Sequence, residues 1–208
     1  MAAWGLLIAA YLVGSFPTSH LAGRWAGVDL RERGSGNLGG TNVYRVLGGR
    51  PAVVVLTIDL LKGFVPVWLF SQWDGRPGGW AVAYGAAALA GHIYPVWTRF
   101  RGGKGVATAA GTLLGLAPIA VVIAALVWTG TLLLTRLASV ASLLAATLVP
   151  LLARGSGAPG HVVLYALLIG AVVWWTHRHN VVRLVRGEEI GIRLRGGGVD
   201  GGPGSDER

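Results

Sequence analysis

Val106-Ala-Thr-Ala-Ala-Gly111-Thr-Leu-Leu-Gly115-Leu-Ala-Pro118-Ile-Ala-Val-Val-Ile-Ala-Ala-Leu-Val-Trp128-Thr-Gly-Thr-Leu-Leu-Leu-Thr135 is 30 residues without a charge. One membrane-spanning helix needs about 20 apolar residues. The stretch is long for one crossing and short for two. Gly115-Leu-Ala-Pro118 signals a break, because proline cannot continue a helix but suits the start of the next one. We read a short fourth span, about Lys104 to Ala117, and a fifth, about Pro118 to Thr135. At about 1.5 Å per residue the fourth covers only about 20 Å, so it starts deep or crosses a thinned region. Gly111 and Gly115 stand in GxxxG spacing, which allows close helix contact.

Five more apolar runs surround this stretch. They lie at about Ala3–Gly23, Pro51–Gln72, Trp80–Thr98, Ser139–Leu152 and His161–Thr176. Pro17 predicts a kink in the first, and Pro51 suits the start of the second. The chain has 208 residues, 53% hydrophobic and 13% charged, with a mean hydropathy of +0.58. A soluble domain carries about 25% charged residues. The fold class is therefore all-α: a polytopic membrane protein of seven transmembrane helices, some short. The N-terminus lacks the basic stretch of a signal peptide, so the first run reads as a retained span. Residues 1–195 read as one membrane domain and 196–208, rich in glycine, as a disordered tail.

The cations test the break. With seven spans, 15 of the 18 Lys and Arg residues fall on one side, and Arg76 and Arg154 on the other. Lys62 lies within the second span, three residues from Asp59 and on the same helix face, and reads as a structural ion pair. A 15-to-2 split puts the N-terminus outside and the C-terminus in the cytoplasm. Were Val106–Thr135 a single span, the tail and its six arginines would lie outside. The net charge of +9 thus reflects topology, with an anionic substrate as a second cause, and implies no nucleic-acid partner. Without cysteine, disulfides and thiol nucleophiles are excluded.

This topology brings three polar clusters to the cytoplasmic side: Gly34–Arg45, His92–Lys104 and His177–Glu189. Gly, Ser, Asn, Thr, Arg, Lys and His suit phosphate recognition through backbone amides, hydroxyls, bidentate Arg and point-charge Lys. No carboxylate lies within the first two clusters, which argues against a carboxylate metal site and paired acid–base carboxylates. Gly34-x-Gly36-x-x-Gly39 has the letters of a dinucleotide fingerprint but no preceding strand. Gly102-Gly103-Lys104-Gly105 lacks the Ser or Thr of a P-loop, although glycines and a Lys at a helix start still favour an anion. A transporter for a phosphorylated anion fits the spans equally well, but it predicts polar residues in both halves of the membrane.

Together the clusters resemble the acyl-phosphate-dependent glycerol-3-phosphate acyltransferases of bacterial membranes, the PlsY family. Its first pattern, Gly-Ser-Gly-Asn-x-Gly-Ala-Thr-Asn-x-x-Arg, stands at Gly34–Arg45 with Gly40 in place of Ala. The second stands at Gly91–Thr108 and the third at His177–Glu189, and Asp59-x-x-Lys62-Gly63 and Ser139/Ser142 are also similar. The resemblance implies transfer of an acyl group from acyl phosphate to the 1-hydroxyl of sn-glycerol 3-phosphate, giving lysophosphatidic acid and phosphate. This is the first acylation of phospholipid synthesis. It implies a multi-pass protein of the bacterial cytoplasmic membrane with its site facing the cytoplasm, partnered by the bilayer and the two substrates, with no cofactor or metal.

On that resemblance the catalytic set is Lys104, His177, Asn180, Arg45 and Ser35. Phosphate binding falls to Gly34, Gly36, Asn37, Gly39, Gly40, Thr41, Asn42, Gly102, Gly103 and Ser142. Arg45 and Lys104 would balance charge in the transition state. His177, with Asn180, either deprotonates the glycerol hydroxyl or positions it while the acyl phosphate takes the proton. Ser142 is equally a hydroxyl bonded within its own helix. His92 is equally a structural histidine, and Glu188 and Glu189 equally anchors for nearby arginines. Nothing in the sequence sets an oligomeric state.

Overall fold

The computed structural model describes residues 2–74 and 79–192. Arg76, Arg193, Arg195, Arg208 and the expected tail at 196–208 lie outside the described residues. Among the described residues all regular structure is helical. Helix α1 (Ala2–Gly14) ends ahead of Pro17, and α2 (Thr18–Trp25) starts after it, so Pro17 marks the expected interruption. Helix α3 (Gly40–Leu47) lies inside the first polar loop, where the sequence reading placed only turn. Helix α4 (Gly49–Val65) passes through a π-helical turn at Pro66–Phe70 into the short α5 (Ser71–Trp73). Pro66 has no N–H to give, and a helix meeting such a defect widens locally. Ser71 Oγ donates to the Val67 carbonyl at 2.6 Å.

Helix α6 (Gly79–Ile93) leads through a 3₁₀ turn, Val96–Thr98, to a tight corner. Arg99 and Phe100 both take positive φ there, 56° and 61°. Helix α7 (Val106–Leu114) is only nine residues long. The chain breaks at Gly115–Ala117, and Pro118 opens α8 (Pro118–Thr135). The 30-residue run is thus two helices, as expected, but the first begins after Lys104. Arg136, with φ 61°, caps α8. Helix α9 (Ala138–Gly155) has 18 residues and carries Pro150 inside, so it is longer than the sixth run read from sequence. Helix α10 (Gly160–Thr176) bends by 56° into α11 (Arg178–Val185).

Four segments are long and apolar enough to cross a membrane: Ala3–Trp25, Gly49–Trp73, Pro118–Thr135 and Ala138–Gly155. Counted as one span, the bent pair α10–α11 would make a fifth. Helices α6 and α7 fall short of that length.

Glycines let the helices touch. A Cβ on Gly63 would stand 2.2 Å from the Thr108 carbonyl, and one on Gly111 2.0 Å from that of Leu60. These contacts press α4 against α7 backbone to backbone, the small-residue packing of membrane bundles. Gly14 and Gly91 do the same for α1 and α6. The main core runs through α6–α10 around Leu113, Tyr165 and Ile169. A smaller one, Leu30, Leu38, Val43, Ala52 and Val55, seats the first polar loop on α4.

Candidate active site

The first loop is folded by Asn42, which is fully buried. Its Oδ1 accepts the Ser35 amide at 2.7 Å, and its Nδ2 donates to the Leu30 and Arg33 carbonyls, both at 3.0 Å. Both donors and the acceptor of the amide are therefore committed to the loop. Gly34 takes φ 60°, and a Cβ there would meet Asn42 Oδ1 at 2.3 Å. The loop delivers Ser35 and Asn37 beside Gly39, from which α3 starts. The first amides of a helix have no partner within it and carry its positive dipole end. Arg45, later in α3, donates to the Ile190 carbonyl at 2.7 Å, while its Nε is buried without a hydrogen-bond partner among the described residues.

Gly105, at φ 82°, turns the chain into α7 and leaves Lys104 just ahead of it. Thr176 Oγ1 donates to the Lys104 carbonyl at 3.1 Å, tying that turn to the end of α10. Lys104 Nζ donates to Asn180 Oδ1. Asn180 Nδ2 donates to Glu189 at 2.6 Å, and Arg183 Nε donates to the same carboxylate at 2.8 Å. His177 Nδ1 lies 2.8 Å from the Val173 carbonyl. A carbonyl can only accept, so Nδ1 carries the proton and Nε2 keeps its lone pair.

Burial shapes the charges. It draws the Lys104 ammonium down to about 8, helped by Arg183 and Arg45 and opposed by Glu189. Burial, with Lys104 nearby, lowers His177 to about 4, so the imidazole is neutral at pH 7. Arg45 is lowered by desolvation. Burial also works against the Glu189 carboxylate, but hydrogen bonds from Asn180 and Arg183 outweigh it and hold its pKa below the usual value.

These groups wall one cavity of about 330 Å³. Its polar end holds Ser35, Asn37, Gly39, Gly40, Thr41, Asn42, Arg45, Lys104, His177 and Asn180. An apolar arm follows between α7, α8, α9 and α10, past Leu113, Val121, Ala146, Val149 and Ile169. Ser142 lies on the wall, but its Oγ donates to the Ala138 carbonyl at 2.7 Å and accepts Trp128 Nε1 at 3.0 Å. Four of the expected phosphate-binding glycines stand off the wall. Gly34 and Gly36 form the turn behind Ser35, and Gly102 and Gly103 pack against His92.

Two carboxylates that sequence reasoning left outside the site wall the cavity, Asp59 and Glu189. The signal for Glu189 was present: it closes the third cluster, nine residues after Asn180. Its role as an arginine anchor is seen in the bond from Arg183. Among the described residues no three His, Asp or Glu side chains converge as a metal set.

A family profile described as glycerol-3-phosphate acyltransferase matches residues 4–187. A protein of that name from Geotalea daltonii is 44% identical over 184 residues, spanning 88% of this chain and 94% of that one. One from Myxococcus xanthus is 47% identical over 186 residues, spanning 88% and 96%. A crystal structure of PlsY, an integral membrane glycerol 3-phosphate acyltransferase, in its glycerol 3-phosphate form is similar with TM-score 0.88 at 39% identity. It covers 93% of this chain and 96% of that one. The lysophosphatidic acid form gives 0.86 and 38% over the same shares.

Proposed function

This chain belongs to the glycerol-3-phosphate acyltransferase family, and on that premise we propose that it acylates the 1-hydroxyl of sn-glycerol 3-phosphate with acyl phosphate as donor. The observation that carries this reading is the shape of the cavity: a cationic, amide-lined end continuous with an apolar arm. Both substrates carry phosphate and one carries a lipid tail. The glycerol oxygen attacks the acyl carbon, the bond from that carbon to the phosphate oxygen breaks, and inorganic phosphate leaves. The hydroxyl proton ends on the departing phosphate.

Lys104 and Arg45 hold phosphate and offset the negative charge of the tetrahedral transition state. The buried Arg45 Nε is a donor awaiting an anion. Ser35, Asn37 and the first amides of α3 complete the cradle, and Asn42, Gly34 and Gly36 act by shaping its loop. His177 accepts the hydrogen bond of the attacking hydroxyl through Nε2. An imidazole near 4 is a poor final home for a proton beside a leaving phosphate, whose oxygens are far more basic. Positioning is therefore favoured over full deprotonation. Asn180 aligns Lys104 and is held by Glu189.

The same reading places the chain in a bacterial cytoplasmic membrane as one unit, residues 1–195, followed by a cytoplasmic tail. It crosses seven times, N-terminus outside and C-terminus inside, with the cavity open to the cytoplasm. The test is release of inorganic phosphate from acyl phosphate by purified enzyme in lipid mesophase. The expected result is release that depends on glycerol 3-phosphate and yields lysophosphatidic acid. Release that ignores glycerol 3-phosphate, or its absence, would overturn the reading.

A further inference from the structure

A second chamber, about 20 Å³, adjoins the main cavity, and Asp59 and His92 wall both. Thr18, Ser19, His20, Lys62 and Thr98 also wall it, with Gly102 and Gly103. Asp59, Lys62, His92 and Ser19 are all buried, none more than 6% exposed. Charged groups at this depth are costly unless paired. Lys62 is paired: its Nζ lies 2.9 Å from Asp59 Oδ1 and donates to the Phe16 carbonyl at 3.2 Å. The link onward is incomplete. His92 Nδ1 stands 3.8 Å from Asp59 Oδ1, too far for a direct hydrogen bond. Neither His92 Nδ1 nor Ser19 Oγ has a hydrogen-bond partner among the described residues. A polar gap of that length is one that a bridging water spans. Such a water needs roughly 10–15 Å³ and two to four polar partners, and the chamber supplies both.

We propose that this chamber binds one structural water bridging Asp59, His92 and Ser19, and that His92, held by it, is the positioning residue for Lys104. The main chain of His92 carries the Lys104 turn. Its carbonyl accepts the Gly103 amide at 3.3 Å, and the Ile93 carbonyl accepts that of Gly102 at 3.1 Å. The ring lies against the same turn, since a Cβ on Gly103 would be 2.4 Å from His92 Nε2. Lys104 is the next residue. A run of contacts thus leads from Phe16 through Lys62, Asp59, the water and His92 to the lysine at the cavity. A displacement of about 1 Å at such a group can cost on the order of 10²-fold in rate.

The kinetic half of this inference rests on the acyl-transfer reading; the water does not. The experiment joins a high-resolution crystal structure of the full chain, grown from lipid mesophase, to steady-state kinetics of His92→Leu and His92→Gln. Expected is density for one water within about 3.2 Å of Asp59 Oδ1, His92 Nδ1 and Ser19 Oγ. His92→Leu should lower kcat by about tenfold or more, and His92→Gln, whose amide can meet the same water, should recover most of that. A dry chamber overturns the proposal. So does a His92→Leu enzyme with kcat within about twofold of wild type. Should His92→Leu fail to fold, the density alone decides. A wild-type enzyme that shows the water but releases no phosphate counts against the acyl-transfer reading and not against the water.

Discussion

On the proposed mechanism Lys104 is the residue on which the chemistry turns, and its charge is the weak point. Burial brings its ammonium to about 8, so the free enzyme carries the cation below that pH and loses it above. kcat/KM should therefore fall as pH rises through about 8, read from a pH–rate profile over both arms. Lys104→Arg, whose guanidinium stays protonated, should lose that alkaline limb. Lys104→Ala should lower kcat by about 10²–10³-fold, as removal of an oxyanion donor does. Activity within a factor of a few of wild type would sink the phosphate-cradle account. For His177 the expectation differs. His177→Gln keeps a polar side chain and should cost on the order of tenfold, below the 10²–10⁴ of a general base, with the profile otherwise unchanged. Gly34 is a residue of backbone, not chemistry. Gly34→Ala places a Cβ at φ 60° and 2.3 Å from Asn42 Oδ1. Strain of about 1–3 kcal/mol in the loop is expected, seen as a lower thermal midpoint in detergent.

At the scale of elements, most of the helices were legible because apolar runs are long and charges are few. The break at Gly115–Pro118 was visible as chemistry, a proline where no helix can continue. Helix α3 was not visible, since Gly40–Leu47 is short and polar and sits on a core, Leu30 to Val55, that only the folded loop creates. The cavity was legible in its cations, but of the six expected glycines only Gly39 and Gly40 line it. It was not legible in its carboxylates, because Asp59 reaches the cavity from the middle of α4 and Glu189 from beyond the last helix. Nor does sequence tell a glycine that lines a cavity, such as Gly39, from one that backs it, such as Gly103. Gly111 illustrates what its spacing meant: it seats α7 on α4, with Leu60 as its neighbour. Gly111→Ala should destabilise the enzyme by about 1–3 kcal/mol through overpacking. Gly130→Ala on α8, where a Cβ meets nothing within 4 Å, should be neutral or slightly stabilising. The strap after α11 also has a readable role. Glu189 holds Lys104 charged against its burial, so Glu189→Gln should shift the alkaline limb of kcat/KM to lower pH.

At the scale of the whole molecule the question is which end faces which compartment. Lys104, Ser139, His177 and Arg45 meet at one cavity although they come from four separate stretches of chain. The Thr176–Lys104 bond puts the end of α10 at the same level as the start of α7. Lys104 and Ser139 both wall the cavity, so between them the chain goes away and returns, through α7 and α8. Helix α7 has nine residues, about 14 Å at 1.5 Å each, against a hydrocarbon core of about 30 Å. Either the membrane thins there or the Gly115–Ala117 turn ends within the bilayer. The chain contains no cysteine, so single-cysteine reporters can be read without background. In right-side-out cells, a cysteine replacing Ser156, at the α9–α10 turn, should react with an impermeant maleimide. One replacing Arg99, in the corner ahead of Lys104, should react only after the membrane is opened. A cysteine at Leu116 decides the fate of α7: labelling from outside means that α7 and α8 each cross, and protection from both sides means a re-entrant pair. Labelling of both Arg99→Cys and Ser156→Cys from the same side would contradict the seven-crossing arrangement, and with it the charge argument that set the cytoplasmic face.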